Sequence, residues 1–329
     1  MATFRNRRGK WQARIARKGQ PAISKSFTTR QDAERWARQI ETQIDQGRFV
    51  NHVEAERTTF GEIVGRYMQE VTPTMRGAKE DLIRLGAMQR NTICKLSMAA
   101  LTTARIAEYR DQRLKQVSAG TVIRELAYIS SIINHARREW DINIENPVRL
   151  VRKPLSPQSR SRTLSEAEKV RILDALTPRP TRRVSSWMKP LVEFALESAM
   201  RRGEMLALKW INVDLVNRTA YLPVTKNGED RTVPLSSKAI EILSGLPRDI
   251  KGSVFPIEAQ TVAASFMKAT KRADVVDFHF HDLRHTAITN LSQKLPNLIE
   301  LAAVSGHKSL TMLKRYYHPR AIELAKKLR

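Results

Sequence analysis

The chain has 329 residues, 41% of them apolar, enough for two or three domains with cores of their own. It has no run of 18 apolar residues, no apolar segment behind its basic start, and a single cysteine, Cys94, so neither a membrane span nor export is expected, an internal disulfide or a Cys-based metal cluster is excluded, and a reducing cytoplasm is the expected setting. Its 58 Lys and Arg against 33 Asp and Glu leave a net charge of +25, a surface that attracts polyanions, so nucleic acid is the expected partner and a ribosome-associated or merely cationic protein the alternative.

Residues 1–30 hold nine Lys or Arg and no Asp or Glu. Lys10–Ile15 and Ala22–Phe27 alternate apolar and polar residues on either side of Gly19-Gln20-Pro21, which predicts two short strands joined by a turn. Thr29, with Asp32 three residues on, then opens a helix that carries Trp36, Ile40 and Ile44 on one stripe and stops near Gly47. Residues 1–55 are therefore expected to form a basic β-β-α module, too small to bury much surface and suited to docking on DNA. Trp11, Phe27 and Trp36 argue against a disordered basic tail.

Residues 58–150 read as all-helical. Phe60, Ile63, Val64, Tyr67 and Met68 follow helical spacing, and Val122, Leu126, Ile129, Ile133, Ala136 and Trp140 mark a long helix with a continuous apolar stripe. Asn146-Pro147 ends the region, and 151–162, basic, apolar-poor and carrying Pro154 and Pro157, is the expected linker. In 163–329, Ser165 and Glu168 form a capping box ahead of Val170 and Leu173, and helices predominate. One interruption is predicted: strands Tyr221–Thr225 and Arg231–Leu235 flank Asn227-Gly228, a strong hairpin signal. The expected fold is mainly α with small β elements.

The chemistry-bearing residues cluster late in the chain. They are Arg201-Arg202-Gly203-Glu204, Lys226 at the mouth of the hairpin, His281-Asp282-Leu283-Arg284-His285, Gly306-His307 and Arg315-Tyr316-Tyr317-His318. Singly, each is more often a surface or satisfied core residue than a functional one. Five of the seven histidines lie after residue 278, and His281 and His285, four apart, could share a metal. No Glu follows the first His as in zinc proteases, and cysteine ligands are lacking, so no metal is expected. With no Gly-rich phosphate loop and no carboxylate cluster for two-metal chemistry, no cofactor is expected either.

In this order the clusters resemble the tyrosine recombinase (phage integrase) family, closely over 163–329. Arg201 with Glu204 matches the family's Arg-x-x-Glu, Lys226 its hairpin lysine, His281 with Arg284 its His-x-x-Arg, and His307 its Gly-His histidine; Tyr316, nine residues later, matches its nucleophile. Tyr317 is the local rival, but the family's Tyr-x-His pattern fits only Tyr316. One departure is Ala199, where many members have Gly, expected to affect packing only. The resemblance implies an arm-binding module in 1–55, a helical core-binding domain in 58–150 and a mixed, mostly helical catalytic domain in 163–329, the last two closing around a duplex. It also implies site-specific cleavage and rejoining of DNA through a 3′-phosphotyrosyl intermediate, without metal or ATP. The implied partners are double-stranded DNA with core and arm sites, three further copies of the chain in a synaptic tetramer, and accessory DNA-bending proteins. A tail stripe of Ala321, Leu324, Ala325 and Leu328, on a helix too short to stand alone, would dock on the neighbouring copy. The alternatives are a type IB topoisomerase-like relaxing enzyme and a catalytically idle DNA-binding regulator; the full residue set disfavours the latter.

The residue types fit that chemistry. A phosphodiester is anionic, and two guanidiniums that stay charged and donate paired hydrogen bonds suit its non-bridging oxygens, which makes Arg201 and Arg284 the expected clamp. His281, at a helix start on the face of Arg284, would donate to the same phosphate or take the nucleophile's proton. Tyr316 would attack, its phenolate favoured by the cationic pocket, while Lys226 protonates the departing 5′-oxygen, His307 orients the phosphate and Glu204 holds a cationic side chain in place.

Overall fold

A computed structural model describes residues 2–16, 22–46, 53–158, 160–181, 184–223 and 230–316, together with Ala325 and Leu328. The chain divides into two compact units, Met1–Gln158 and Ser159–Arg329.

The first unit opens with three strands, one more than the sequence predicts: β1 (Ala2–Arg7), β2 (Lys10–Ile15) and β3 (Ile23–Phe27) in an antiparallel sheet ordered β1-β2-β3. Strand β1 pairs with β2 from Ala2 opposite Ile15 to Arg7 opposite Lys10. The turn between them has positive φ at Arg8 (51°) and Gly9 (78°), the backbone a type I′ hairpin requires. Helix α1 (Arg30–Asp45) starts where expected, with the Thr29 side chain accepting from the Asp32 N–H. Its buried Ala33 and Ala37 face Ala13, Ile15 and Ile23 of the sheet, and Phe27 packs on Trp36 with ring centroids 5.5 Å apart.

The rest of this unit is helical: α2 (Val53–Arg57), α3 (Phe60–Glu70), α4 (Ala78–Gln89), α5 (Thr103–Leu114) and α6 (Ala119–Glu139). The stripe along α6, Val122, Leu126, Ile129, Ile133 and Ala136, is fully buried against Phe60, Val64, Leu85 and Ile106. Asn146 is itself buried, its carboxamide donating to the Ser130 hydroxyl (2.8 Å) and to Asn134 Oδ1 (3.0 Å), so Val148 and Val151 still belong to this core.

In the second unit, the capping box of Ser165 and Glu168 begins α7 (Glu166–Leu176), followed by α8 (Met188–Ser198) and α9 (Arg202–Ala207). A three-stranded antiparallel sheet, β4 (Val213–Asp214), β5 (Thr219–Leu222) and β6 (Arg231–Pro234), comes next, with Tyr221 opposite Thr232 and Leu222 opposite Arg231. Helices α10 (Ser237–Ser244), α11 (Ala259–Arg272), α12 (Asp282–Lys294), α13 (Leu298–Ser305) and α14 (Leu310–Leu313) complete it, with a 3₁₀ turn at Lys314–Tyr316. The main core joins α7, α8, α10 and α11 through Phe194, Phe255, Val262 and Phe266. A smaller core of Ala199, Ala287, Ile288, Leu301, Leu313 and Tyr316 lies where α8, α12 and α13 meet. The basic stretch read as a linker reaches this unit at Arg160, which donates to Asp277 (2.9 Å) and to the buried Asp282 (2.9 Å). Among the described residues no helix is long and apolar enough to cross a membrane.

Candidate active site

Three chain reversals meet at the smaller core, and each delivers a sequence-predicted residue. The first is the end of α8, where Ala199 caps the helix in the left-handed region (φ 50°, ψ 19°) and turns the chain so that Arg201 precedes α9. This corrects the expectation that Ala199 differs from glycine in packing only. Its Cβ makes that conformation unfavourable by roughly 1–2 kcal/mol, and the residue is fully buried. The second reversal begins α12, with His281 at its N-cap and Arg284 one turn inside. The third ends α13 at Gly306, also left-handed (φ 67°), and presents His307.

Hydrogen bonds lock the three together. Arg284, 4% exposed, donates one Nη to the Ala199 carbonyl and the other to the Ser305 carbonyl. Arg201 Nη2 donates to the Gly306 carbonyl (3.1 Å), and its Nη1 to Glu204 Oε1 (2.7 Å). Glu204 also accepts from the Arg201 backbone N–H (2.8 Å) and, at Oε2, from Arg231 Nη2 (2.8 Å). Burial alone would raise the Glu204 pKa, but the Arg201 N–H and the charges of Arg231 and Arg201 outweigh it, so the carboxylate stays below its ordinary value and ionised. Arg231 spans from β6 to the third reversal, where its Nη1 donates to the Val304 carbonyl (3.3 Å).

Gly306 is required twice over. Its φ is positive, and a Cβ there would lie 1.7 Å from Arg231 Nη1.

Burial first, and the charge of Arg201 second, lower the Arg284 pKa to about 9. Burial and the charges of Arg284 and Arg201 also hold His307 at about 4, neutral near pH 7, with its Nδ1 hydrogen-bonded to the Ser305 hydroxyl (2.8 Å). Tyr316 lies beside them, 7% exposed, its ring centroid 6.4 Å from His307. Its pKa is raised, because burial outweighs the lowering influence of Arg315 and Arg284. The cationic side chains thus act in the expected direction, towards the phenolate, but burial opposes them and prevails. A cleft of about 800 Å³ runs from Arg201 and His281 past Phe266, Met267 and Phe278. Helix α11, which lines it with Ala263, Phe266, Met267 and Thr270, also exposes Lys268 and Lys271.

The structure thus gathers Arg201, Arg284, His307 and Tyr316 around the three reversals, with Arg201 and His281 on the cleft. Lys226, with the rest of 224–229, lies outside the described residues, as does Tyr317. Sequence reasoning missed the roles of three side chains. Arg231, read only as a strand residue, is a half-buried cation bridging Glu204 and the Gly306 turn. Ser292 donates its hydroxyl to the Tyr316 carbonyl (2.9 Å). His285, weighed only as a metal ligand, hydrogen-bonds through Nδ1 with the Tyr316 hydroxyl. The signal available for the last two was spacing: 285 and 292 are seven apart on α12 and so share a helix face.

Family models match most of the chain. Residues 162–322 match the phage integrase family, and 56–154 match the phage integrase N-terminal domain. The shufflon-specific DNA recombinase of Escherichia coli is 39% identical over 281 residues, 83% of this chain and 72% of that protein. Tyrosine recombinase XerC of Xanthomonas campestris is 24% identical over 84% of this chain and 85% of its own length. Among solved structures, a lambda integrase tetramer bound to a Holliday junction has the same fold, with a TM-score of 0.67 and 21% identity over 97% of this chain and 95% of that one. The Tn1549 transposon integrase in complex with a circular intermediate DNA matches at 0.64 and 15% identity, covering 82% of this chain and 98% of that one. The chain belongs to the phage integrase family and is a site-specific tyrosine recombinase, an enzyme that cuts and rejoins DNA.

Proposed function

We propose that Tyr316 is the nucleophile of this recombinase, that Arg201 and Arg284 clamp the scissile phosphate, and that His281, His307 and Lys226 complete the catalytic set. The observation that carries this reading is the convergence of Arg201, Arg284, His307 and a buried Tyr316 at the three reversals, with Arg201 and His281 lining the cleft beside α11. Attack by the Tyr316 oxygen on phosphorus releases a 5′-oxygen, which Lys226 protonates. The 3′-phosphotyrosyl bond keeps the energy of the broken phosphodiester, so rejoining needs no ATP. Arginines suit the clamp because each retains N–H groups beyond those given to backbone carbonyls, and the backbone bonds fix the guanidinium planes before DNA arrives.

The working assembly is a tetramer on two duplexes, formed in the cytoplasm, with the 1–55 module on distal arm sites and the 58–150 domain on core sites, assisted by DNA-bending proteins. Support comes from the net charge of +25, and from the tail stripe of Ala321, Leu324, Ala325 and Leu328, of which only Ala325 and Leu328 lie among the described residues, Leu328 being 87% exposed. A head-to-tail contact repeated four times closes into a ring. The lambda integrase structure on a Holliday junction is itself a tetramer.

The test is Tyr316→Phe on a nicked duplex carrying the repeat that flanks the chain's own gene. The wild type should be trapped as a covalent adduct on a denaturing gel. The variant should bind the duplex nearly as well and form no adduct. An adduct that persists, or that maps to Tyr317, overturns the assignment.

A further inference from the structure

Helix α12 grips Tyr316 at both ends. Ser292 donates to its carbonyl, and two turns earlier His285 Nδ1 meets its hydroxyl. The two rings are stacked, with centroids 5.7 Å apart and planes 25° from parallel. His281, on the same face, stands edge-on to His285 at 5.2 Å. His285 and Tyr316 are 31 residues apart in the chain, so nothing local forces the contact.

We propose that His285 is a catalytic residue that accepts the Tyr316 hydroxyl proton as the tyrosine attacks the scissile phosphate, and returns it when the strand is rejoined. This rests on Tyr316 being the nucleophile. As the phenolic oxygen forms its bond to phosphorus, its O–H bond breaks and the proton passes to the Nδ1 lone pair, giving an imidazolium. The P–O5′ bond breaks with its electron pair on the 5′-oxygen, which takes a proton from Lys226. In rejoining, the 5′-hydroxyl attacks, gives its proton back to Lys226, and the departing Tyr316 oxygen recovers its own from His285.

The surroundings suit a base. His285 is half-buried and held neutral near pH 7: burial first, then the charges of His281, Arg315 and Arg284, lower its pKa to about 4, with Asp282 opposing. The groups facing it are His281, Asp282 and Arg284 on its own helix and Arg315 and Tyr316 on the 3₁₀ turn. The charged groups of the helices packed on α12 are turned to other surroundings: on α8, Lys189 and Glu193 line a groove with α10 and Glu197 accepts from the Ser236 hydroxyl, and Glu300 of α13 is exposed. A neutral imidazole can accept a hydrogen bond at Nδ1 with its proton on Nε2. It is a weak base for an intact phenol, but the transfer need occur only as the P–O bond forms, when the phenolic proton becomes far more acidic. The incoming phosphate also offsets the arginine charges that depress His285.

The experiment follows single-turnover cleavage of the nicked duplex by His285→Ala and His285→Asn between about pH 6 and 9, with Tyr316→Phe alongside. Asn keeps an acceptor near the Nδ1 position but cannot take a proton. Both His285 variants should fall by at least ~100-fold at neutral pH, the size general-base loss takes. Their rates should climb with hydroxide concentration while the wild type stays flat, and added imidazole should rescue His285→Ala. An Asn variant at the wild-type rate means the hydroxyl is held and not deprotonated, and overturns the proposal. So does cleavage by both variants at or above the wild-type rate, or a loss that neither alkaline pH nor imidazole restores while the thermal melt is unchanged. If Ala unfolds, the Asn profile decides, together with fluorotyrosine at position 316, whose more acidic phenol should recover part of the lost rate. An adduct in Tyr316→Phe would instead refute the nucleophile assignment on which the proposal rests.

Discussion

Gly306→Ala should damage the catalytic unit out of proportion to one methyl group. The new Cβ would lie 1.7 Å from Arg231 Nη1 and 2.5 Å from its Cζ, so the guanidinium must move away. Moving it breaks the contacts to Glu204 Oε2 (2.8 Å) and the Val304 carbonyl (3.3 Å). Loss of one partner from a buried ion pair costs about 3–5 kcal/mol, and Glu204 keeps Arg201, which puts the cost near the lower end. Left-handed backbone at an alanine adds roughly 1–2 kcal/mol. Together these come to about 4–5 kcal/mol, against total stabilities of about 5–15. For a unit of this size the melting temperature should fall by about 10–20 °C. Thermal unfolding followed by circular dichroism reads this directly, and an Arg231→Ala background separates the two terms. There Gly306→Ala should cost only the backbone term, about 1–2 kcal/mol. Equal costs in both backgrounds, or a melt within a couple of degrees of the wild type, would refute the reasoning.

Arg201→Lys and Arg284→Lys should each slow single-turnover cleavage at least ~100-fold, since an ammonium keeps the charge but not the planar paired contact; near-normal cleavage by both would remove them from the clamp. Glu204 titrates below its ordinary value of 4.5, so its contribution to stability is complete above that pH and is lost as pH falls through the lowered value. Glu204→Gln should therefore flatten part of the acid loss of stability in urea unfolding below pH 4.5; an unchanged slope would mean the carboxylate is not coupled to folding. Truncation after Pro319 should spare binding to one site and abolish recombination of two sites on a plasmid, whereas wild-type recombination by the shortened chain would mean the tail packs on its own protomer.

Much of the fold is legible in local chemistry. Thr29 with Asp32 and Ser165 with Glu168 mark helix starts where the structure has them, and the stripe from Val122 to Ala136 is the buried face of α6. Strand β1 escapes a reading by periodicity because Ala2–Arg7 carries one large apolar residue, Phe4, and becomes a strand by pairing with β2. Its turn is also disguised, since Arg8 takes the positive φ that Asn, Asp or Gly usually signals. At the site, motif order points to Arg201, Arg284, His307 and Tyr316, which the structure places near one another, yet not to what each one touches. That Arg231 is a bridge, that Ala199 is left-handed and that His285 meets Tyr316 are all products of three reversals packing together, which no window of sequence contains.

The depressed proton affinity of His307 ties the proposed site to solution acidity. It is lowered by burial and by the charges of Arg284 and Arg201, so a phosphodiester held by the proposed clamp, by supplying the opposite charge, would raise it again. On that assignment, engagement of the scissile phosphate is accompanied by proton uptake by His307 at mildly acidic pH, while the guanidiniums keep their charge throughout. Linkage makes the effect reciprocal: DNA affinity should strengthen as pH falls through that window, and the heat of binding measured in calorimetry should vary with the ionisation enthalpy of the buffer.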